Sequence, residues 1–440
     1  AGEQLTLEAL TIEPTSSDTE GRSLSWAGQS LRLNGIEVVT NRDDTFQLGS
    51  VTESIDLENV TLRSRDDATT GGGPVLDLQT NAAIKVDGLR IETMANRPAF
   101  TLLPGPRSNK LNTIRNISID QQVPLENWSG FFAGGTQVEN LEVNTLAAVG
   151  ICLEGDGKRP DPFSLKGVNI VGYEETGVLL KGRGTTVRLE DIALQSGAST
   201  ARPTRGIHLA ESSESSLSIH GLRVRDSHTG ILLQGTLREL DASGVTLIAG
   251  RGSTQEGDPS AGIRLAGPLL PEGTYNVSGA DISGFERGIA FDHSTARATV
   301  SLGAYNRQDA NRVYNNTIGI YLDSPELRVK MAEDRSRNAY ENNTVGVLVE
   351  AGELYAENTR IINNQTGVIV RGGTADFGGG PLGAYGANLL WPQLGTVAIR
   401  NETRNEIFAL RNLWGEAESL LGTDATPLLE APGRVIVNRD

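Results

Sequence analysis

The chain has 440 residues, of which 55 are acidic and 39 are basic, so its formal net charge is −16. This charge argues against nucleic acid as a partner, because phosphate binding requires a basic surface. One cysteine excludes an internal disulfide framework, and the sequence has no apolar run of about 18 residues that could form a transmembrane helix.

Two acidic motifs lie in the first part of the chain, Arg42-Asp43-Asp44 and Arg65-Asp66-Asp67, 23 residues apart. If this spacing is one turn of a repeat, the motifs stack at one corner. Like charges at short range raise a carboxyl pKa or recruit a cation. The candidates for acid–base chemistry are therefore Asp43, Asp44, Asp66, Asp67 and Arg65. The alternative is a solvated turn with local Arg–Asp pairs.

Aromatic residues make up only 5% of the chain, yet Trp128, Phe131 and Phe132 lie close together in a segment with the composition of a loop. Exposed rings can stack on sugar faces, which makes these three residues candidates for ligand binding. A role in plugging the core is the alternative.

An acidic segment follows at 154–161, and it has the composition of an inserted loop. Oxygen ligands at Glu154, Asp156 and Asp161 could hold Ca²⁺, the one cofactor that the sequence suggests, although their spacing does not match an EF-hand loop. The alternative is an ordinary turn rich in Gly and Pro.

A four-residue word, Gly-(Val/Ile)-x-apolar, recurs at steps of 21 to 32 residues. It begins at Gly150, Gly177, Gly206, Gly230, Gly262, Gly288, Gly319, Gly346 and Gly367. The short alternating runs predict strands with one buried face, and units of this length bury that face only by stacking. The opening glycine is expected to have a positive φ. We predict an all-β fold, a right-handed parallel β-helix over residues 1–415, with 416–440 as a C-terminal cap.

The third position of the word is expected to face outward, and it is often apolar, as at Cys152, Leu232 and Leu348. Such a column requires cover, and an intramolecular loop, a second subunit or an envelope protein could provide it. Asn-Asn pairs precede the word at 315–316, 342–343 and 363–364. Because Asn tolerates a left-handed backbone, we expect these pairs to form turns whose amides bond from coil to coil.

The words with Asn-Asn turns resemble right-handed parallel β-helix repeats of the pectin-lyase-like superfamily, including its NosD-like, carbohydrate-associated branch. The segment 375–388, which reads ADFGGGPLGAYGAN, looks like the closing segment of secreted bacterial β-helix proteins. The resemblance implies an extracytoplasmic location and a polysaccharide or envelope protein as partner. It fixes fold better than activity.

Three functions remain open. The first is a non-catalytic structural, adhesive or carbohydrate-binding protein of the cell envelope, because the galacturonase and alginate-epimerase words of the superfamily are absent. The second is a polysaccharide lyase or glycoside hydrolase that uses acidic residues on adjacent coils. The third is a spike or fibre subunit that oligomerises through the apolar outer face.

Overall fold

In the computed structural model the chain forms two compact units, Ala1–Ser215 and Ser216–Asp440. The structure describes residues 4–12, 24–40, 46–64, 73–94, 96–104, 112–133, 135–156, 163–197, 203–250, 258–292, 297–303, 310–331, 338–393, 396–414, 429–430 and 434–437. In these ranges the regular secondary structure is β-strand. They contain no helix long and apolar enough to cross a membrane.

The first unit consists of strands that follow one another at short intervals. They are β1 (Gln4–Glu8), β2 (Thr11–Ile12), β3 (Leu24–Asn34), β4 (Glu37–Thr40), β5 (Phe46–Ser64), β6 (Leu76–Thr80), β7 (Ala83–Thr93), β8 (Phe100–Pro104), β9 (Asn112–Ala133), β10 (Thr136–Asp156), β11 (Phe163–Tyr173), β12 (Thr176–Ser196) and β13 (Arg205–Leu209). Strand β14 (Glu214–Ser227) begins at the end of this unit.

The second unit has mostly shorter strands. They are β15 (Thr229–Leu233), β16 (Thr236–Ser243), β17 (Thr246–Ala249), β18 (Ala261–Leu265), β19 (Tyr275–Ser278), β20 (Asp281–Ser283), β21 (Arg287–Asp292), β22 (Ala298–Leu302), β23 (Arg312–Tyr314), β24 (Ile318–Met331), β25 (Ala339–Glu341), β26 (Val345–Ala356), β27 (Arg360–Ile362), β28 (Thr366–Val370), β29 (Thr374–Asp376), β30 (Leu389–Trp391), β31 (Val397–Asn401), β32 (Ile407–Phe408), β33 (Leu429–Glu430) and β34 (Val435–Ile436).

The final two strands lie beyond the predicted end of the solenoid at residue 415. Strand β33 pairs in parallel with β31, and β34 pairs in parallel with β32. The predicted boundary itself borders residues 415–428, which are outside the described part of the chain.

Within each unit the strands stack in parallel, and a long strand joins several ladders because it bends at the corners of the turn. Phe46 of β5 pairs with Leu76 of β6, whereas Ile55 of the same strand pairs with Ile84 of β7. Parallel neighbours require a long crossover connection, and here the remainder of the turn supplies it. The predicted all-β, parallel β-solenoid is therefore confirmed.

The four-residue word stacks on itself, and its second residue points into the core. In the first unit this column is Ile151, Val178 and Ile207. In the second unit it runs through Ile231, Ile263, Ile289, Ile320, Val347 and Val368. Each of these side chains is at most 1% exposed. The repeat detected in the sequence is thus the pattern that lines the core.

The glycine that opens the word is needed for close packing, and the expectation of a positive φ is wrong. Gly288 and Gly319 are not among the glycines with positive φ. A Cβ on Gly288 would lie 2.6 Å from the carbonyl oxygen of Gly319, and one on Gly319 would lie 2.5 Å from that of Gly346. A side chain has no room there, because the glycine of one turn lies against the glycine of the next.

The Asn-Asn pairs form a corner of the second unit, and the two members of a pair have different roles. The first members have a left-handed backbone, with φ of 55°, 55° and 54° at Asn315, Asn342 and Asn363. The second members are buried and bond from turn to turn. The N–H of Asn316 donates to Asn343 Oδ1 at 2.9 Å, and that of Asn343 donates to Asn364 Oδ1 at 2.8 Å. The predicted amide ladder is confirmed.

The glycine-rich segment 375–388 is organised around one buried carboxylate. Asp376 is 0% exposed. Its Oδ1 accepts hydrogen bonds from the backbone N–H groups of Gly378 and Gly380, at 2.9 and 3.1 Å. Its Oδ2 accepts from Leu382 and Ala384, at 3.1 and 3.2 Å. One side chain therefore holds the loop that follows β29.

Candidate functional site

The outward positions of one ladder in the first unit form a column of chemically different side chains. In register they are Gln47, Asp77, Thr101, Phe131, Cys152, Leu179 and His208. Neighbouring strands are about 4.8 Å apart, so each side chain has its neighbours one step away. The middle of the column is buried, with Asp77 at 5%, Phe131 at 7% and Cys152 at 0% exposure. Single-chain packing is therefore enough to cover this part of the column.

Asp77 is an unusual carboxylate for an outward strand position. Gln79 Nε2 donates to its Oδ2 at 3.0 Å, whereas its Oδ1 is buried and has no hydrogen-bond donor among the described residues. Burial raises the pKa of Asp77, and the hydrogen bonds from Gln79 and Gln47 oppose this shift. Sequence reasoning missed this residue, because a single Asp in an alternating strand is typical of a solvated surface.

The Arg-Asp-Asp motifs lie in 41–45 and 65–72, outside the described residues. The placement of the predicted acid–base candidates stays a prediction for Asp43, Asp44, Arg65, Asp66 and Asp67. The strands around them are described. Thr40 pairs with Ser64 before the motifs, and Phe46 pairs with Leu76 after them. The described residues on either side of the two segments are therefore register partners on adjacent turns.

A cavity of about 210 Å³ includes Ser64, the residue that precedes the second motif. Its lining residues are Arg63, Ser64, Glu92, Thr93, Met94, Asp120 and Gln122. Arg63 Nε donates to Glu92 Oε2 at 2.9 Å. Arg97, which is 1% exposed, donates from Nη2 to Ser64 Oγ at 3.2 Å. The corner thus combines guanidinium and amide donors with carboxylate acceptors.

The three aromatic candidates are in strand β9, so the predicted loop at 127–132 is wrong. Strand β9 has register shifts against β10 near Leu125 and Trp128, and these irregularities place the rings. Phe132 is 0% exposed and belongs to the core, whereas Trp128 is half-buried. The Trp128 ring packs on Phe131 with centroids 5.1 Å apart, and Lys181 Nζ lies 5.7 Å from its centroid. The indole Nε1 has no acceptor among the described residues.

The predicted calcium loop begins at the end of β10. Glu154 is exposed and pairs in register with Lys181, and Asp156 pairs with Arg183 at the strand end. Asp161 lies in 157–162, outside the described residues. A lysine beside Glu154 disfavours a cation there. The described side chains of His, Cys, Asp and Glu form no group of three or more that could hold a metal ion.

Two further groups that carry reactive chemistry have structural surroundings. Burial raises the pKa of the Cys152 thiol to about 12, which keeps it protonated and a poor nucleophile. His220 has an acidic neighbour that the sequence did not reveal, since its Nε2 lies 3.9 Å from Asp241. It also bonds to Ser218 and Ser243, at 2.9 and 2.5 Å. This group is exposed on a sheet face, so it provides no enclosed site.

In the outward column of the second unit, Leu232 and Leu348 are buried, at 4% and 6% exposure, and Arg264 belongs to a network of ion pairs. Arg264 Nε donates to Asp292 Oδ2 at 2.6 Å, and Arg287 donates to Asp292 Oδ1 at 3.0 Å. The Arg287 guanidinium also stacks 3.7 Å from the ring centroid of Tyr321. Two guanidiniums thus balance a carboxylate that is 4% exposed. These contacts give Arg264 and Tyr321 a structural role in the column.

Comparison of the chain with protein-family models, curated proteins and solved structures finds no match. The evidence for the parallel β-solenoid is therefore the structure of this chain alone. The resemblance to the pectin-lyase-like superfamily rests on sequence motifs alone.

Proposed function

We propose that the protein is a non-catalytic, carbohydrate-binding β-solenoid that acts outside the cytoplasm, at the cell envelope. The observation that supports this most directly is the Trp128 ring on the outer face of the first unit, packed on Phe131 and close to Lys181. The turns beside Phe131 present Thr101 and then Asp77 in register.

This arrangement suits a sugar. The indole offers an apolar face for sugar C–H groups at low entropic cost, and a cation beside the ring can meet a hydroxyl or an acidic substituent. The Thr101 hydroxyl and the exposed amide of Gln47 lie along the same column. Because hydrogen bonds orient a ligand more than they increase its affinity, the ring is expected to dominate the binding energy.

Trp128→Ala tests the proposal by titration calorimetry against a panel of neutral and acidic oligosaccharides. We expect the affinity to fall at least about tenfold, because an aromatic contact of about 1.5 kcal/mol corresponds to that factor. Trp128→Phe should retain part of the affinity. Unchanged binding by Trp128→Ala, or binding of no glycan by the natural protein, would contradict the proposal.

An enzyme is the second candidate, and Asp77 favours it. A carboxyl group whose pKa burial has raised is the kind of group that acts as a general acid in glycoside hydrolysis. Its partner carboxylate would come from Asp43, Asp44, Asp66 or Asp67. Turnover of a polysaccharide that disappears in Asp77→Asn, while the variant still binds the glycan, would favour a lyase or hydrolase.

The proposal places the protein at the cell envelope, and the fibre or spike subunit is an alternative that differs in its state of assembly. Cell fractionation tests the location, and light scattering of the full chain tests the fibre or spike reading. A monomer at all concentrations would exclude a subunit that assembles through its outer sheet face.

A further inference from the structure

Several Asn-x-Ser/Thr tripeptides occur in the chain, and in secreted proteins the asparagine of this motif accepts an N-linked oligosaccharide. They begin at Asn59, Asn116, Asn127, Asn276, Asn315, Asn342, Asn364 and Asn401. Transfer to the folded chain requires an amide that faces solvent and a hydroxyl residue that the transferase can reach. The structure therefore separates the motifs that can be modified from those that cannot.

Burial or a hydrogen bond excludes most of these motifs. Asn364 and Asn401 are 0% exposed, and their amides donate to backbone carbonyl groups. Asn116 is exposed, but its Nδ2 donates to a carboxylate of the preceding turn at 2.7 Å. The hydroxyl residues of two more motifs are buried, with Ser129 at 0% and Ser278 at 7% exposure.

Three motifs remain, and each begins at a corner of the solenoid. Asn59, Asn315 and Asn342 are exposed and have a left-handed backbone, with φ of 51°, 55° and 55°. Their amides make no hydrogen bond to another described residue. The threonine of each motif is exposed or half-buried. All three asparagines therefore present an amide that is free to react.

Two of these asparagines have glycine beside them on a neighbouring turn. The strand register places Asn59 between Gly35 and Gly88, and it places Asn315 beside Gly284 of the preceding turn. A Cβ on Gly88 would lie 2.8 Å from Asn59 Oδ1, so the amide lies over the space that this glycine leaves open. A bulky group on either asparagine thus has room at the corner.

The third asparagine is crowded by comparison. Asn342 lies between Asn315 and Asn363 of the adjacent turns. Neighbouring strands are about 4.8 Å apart, and a sugar ring is no narrower than this spacing. A sugar on Asn342 would therefore meet a side chain on both sides, and a glycan on Asn315 would block it completely.

We propose that Asn59 and Asn315 carry N-linked glycans and that Asn342 does not. In the transfer, the asparagine Nδ2 attacks C1 of an oligosaccharide that is linked to a polyprenyl diphosphate. The N–C1 bond forms as the bond from C1 to the diphosphate oxygen breaks, and a base of the transferase takes the amide proton. The proposal rests on the proposed extracytoplasmic location, because the motif is an acceptor in secreted proteins.

The test is mass spectrometry of tryptic peptides from the natural protein, purified from the cells that produce it. Peptides 43–63, 313–328 and 338–360 each contain one of the three motifs and no internal lysine or arginine. We expect the first two peptides to carry the added mass of a saccharide on their asparagine. The third should have the mass of the unmodified sequence.

Substitution of the threonines assigns the added mass to the motif. Thr61→Ala and Thr317→Ala should each remove the saccharide from their own peptide although the asparagine is retained, whereas Thr317→Ser should keep it. Thr344→Ala is the matched control, because it removes the motif of Asn342 and should change neither glycan. Melting temperatures establish that each variant is folded.

Absence of a saccharide from peptide 43–63 or from peptide 313–328 would overturn the inference, and so would equal modification of Asn342. Cell fractionation of the same source separates this failure from a failure of the proposed function. Unmodified asparagines in an envelope protein would sink the glycan sites alone. Glycans on Asn59 and Asn315 in a protein that binds no oligosaccharide would support the sites and contradict the proposed function.

Discussion

The side chain of Asp77 is buried by other parts of the chain, although it occupies an outward position of its strand. Burial raises its pKa above the ordinary value of 3.8, so the folded state binds this proton more tightly than the unfolded state. The folded state therefore carries more protons between pH 3.8 and the raised pKa, and the free energy of unfolding falls as pH rises through that window.

Asp77→Asn removes this titration. Its melting temperature should exceed that of the natural protein at neutral pH, and the difference should shrink as the pH falls through the same window. Melting curves at a series of pH values measure this, with Asp191→Asn as an exposed control. A difference that is independent of pH would show that Asp77 contributes through packing alone.

At the scale of the element, the Asn-Asn corner contains two adjacent asparagines that have different roles. Asn343 is 2% exposed and its amide joins three turns. Its Oδ1 accepts from Asn316 N and its Nδ2 donates to Val313 O, both in the preceding turn, and Nδ2 also donates to Asn364 Oδ1 of the next turn at 3.2 Å. Asn342 is exposed and supplies only a left-handed backbone, with φ of 55°.

Asn343→Ala should lower the free energy of unfolding by about 3 kcal/mol, because it leaves buried donors and acceptors unpaired. Asn342→Ala should cost about 1 kcal/mol, the strain of an alanine in the left-handed region, and Asn342→Gly should cost less. Denaturant unfolding measures all three. Equal losses at both positions would mean that the amide ladder does not stabilise the corner.

The same elements show what a sequence can predict. The four-residue word predicts that Ile320 and Val347 lie in the core, because its alternation involves only neighbouring residues. The Asn-Asn pair predicts a turn for the same reason. The burial of Asp77, the bulged strand around Trp128 and the reason for Gly319 depend on neighbours a full turn away in sequence. A pattern of a few consecutive residues does not show which residues of the next turn will lie beside it. The fold could therefore be predicted from the sequence, and most of the candidate site could not.

At the scale of the whole chain, each of the two units is a stack of turns, and in such a stack each turn contacts mainly the next, so damage is expected to stay local. Asp376→Asn tests this. In the variant an NH₂ group faces the backbone N–H groups of Leu382 and Ala384, which donate hydrogen bonds to Oδ2 of Asp376 in the natural protein. The local cost should be about 3 kcal/mol. Hydrogen exchange should show lost protection over 375–388 and the strands beside it, with β5, β7 and β9 unchanged. Loss spread evenly over both units would instead mean that the solenoid unfolds as one cooperative body, and the two compact units would then have no separate stability.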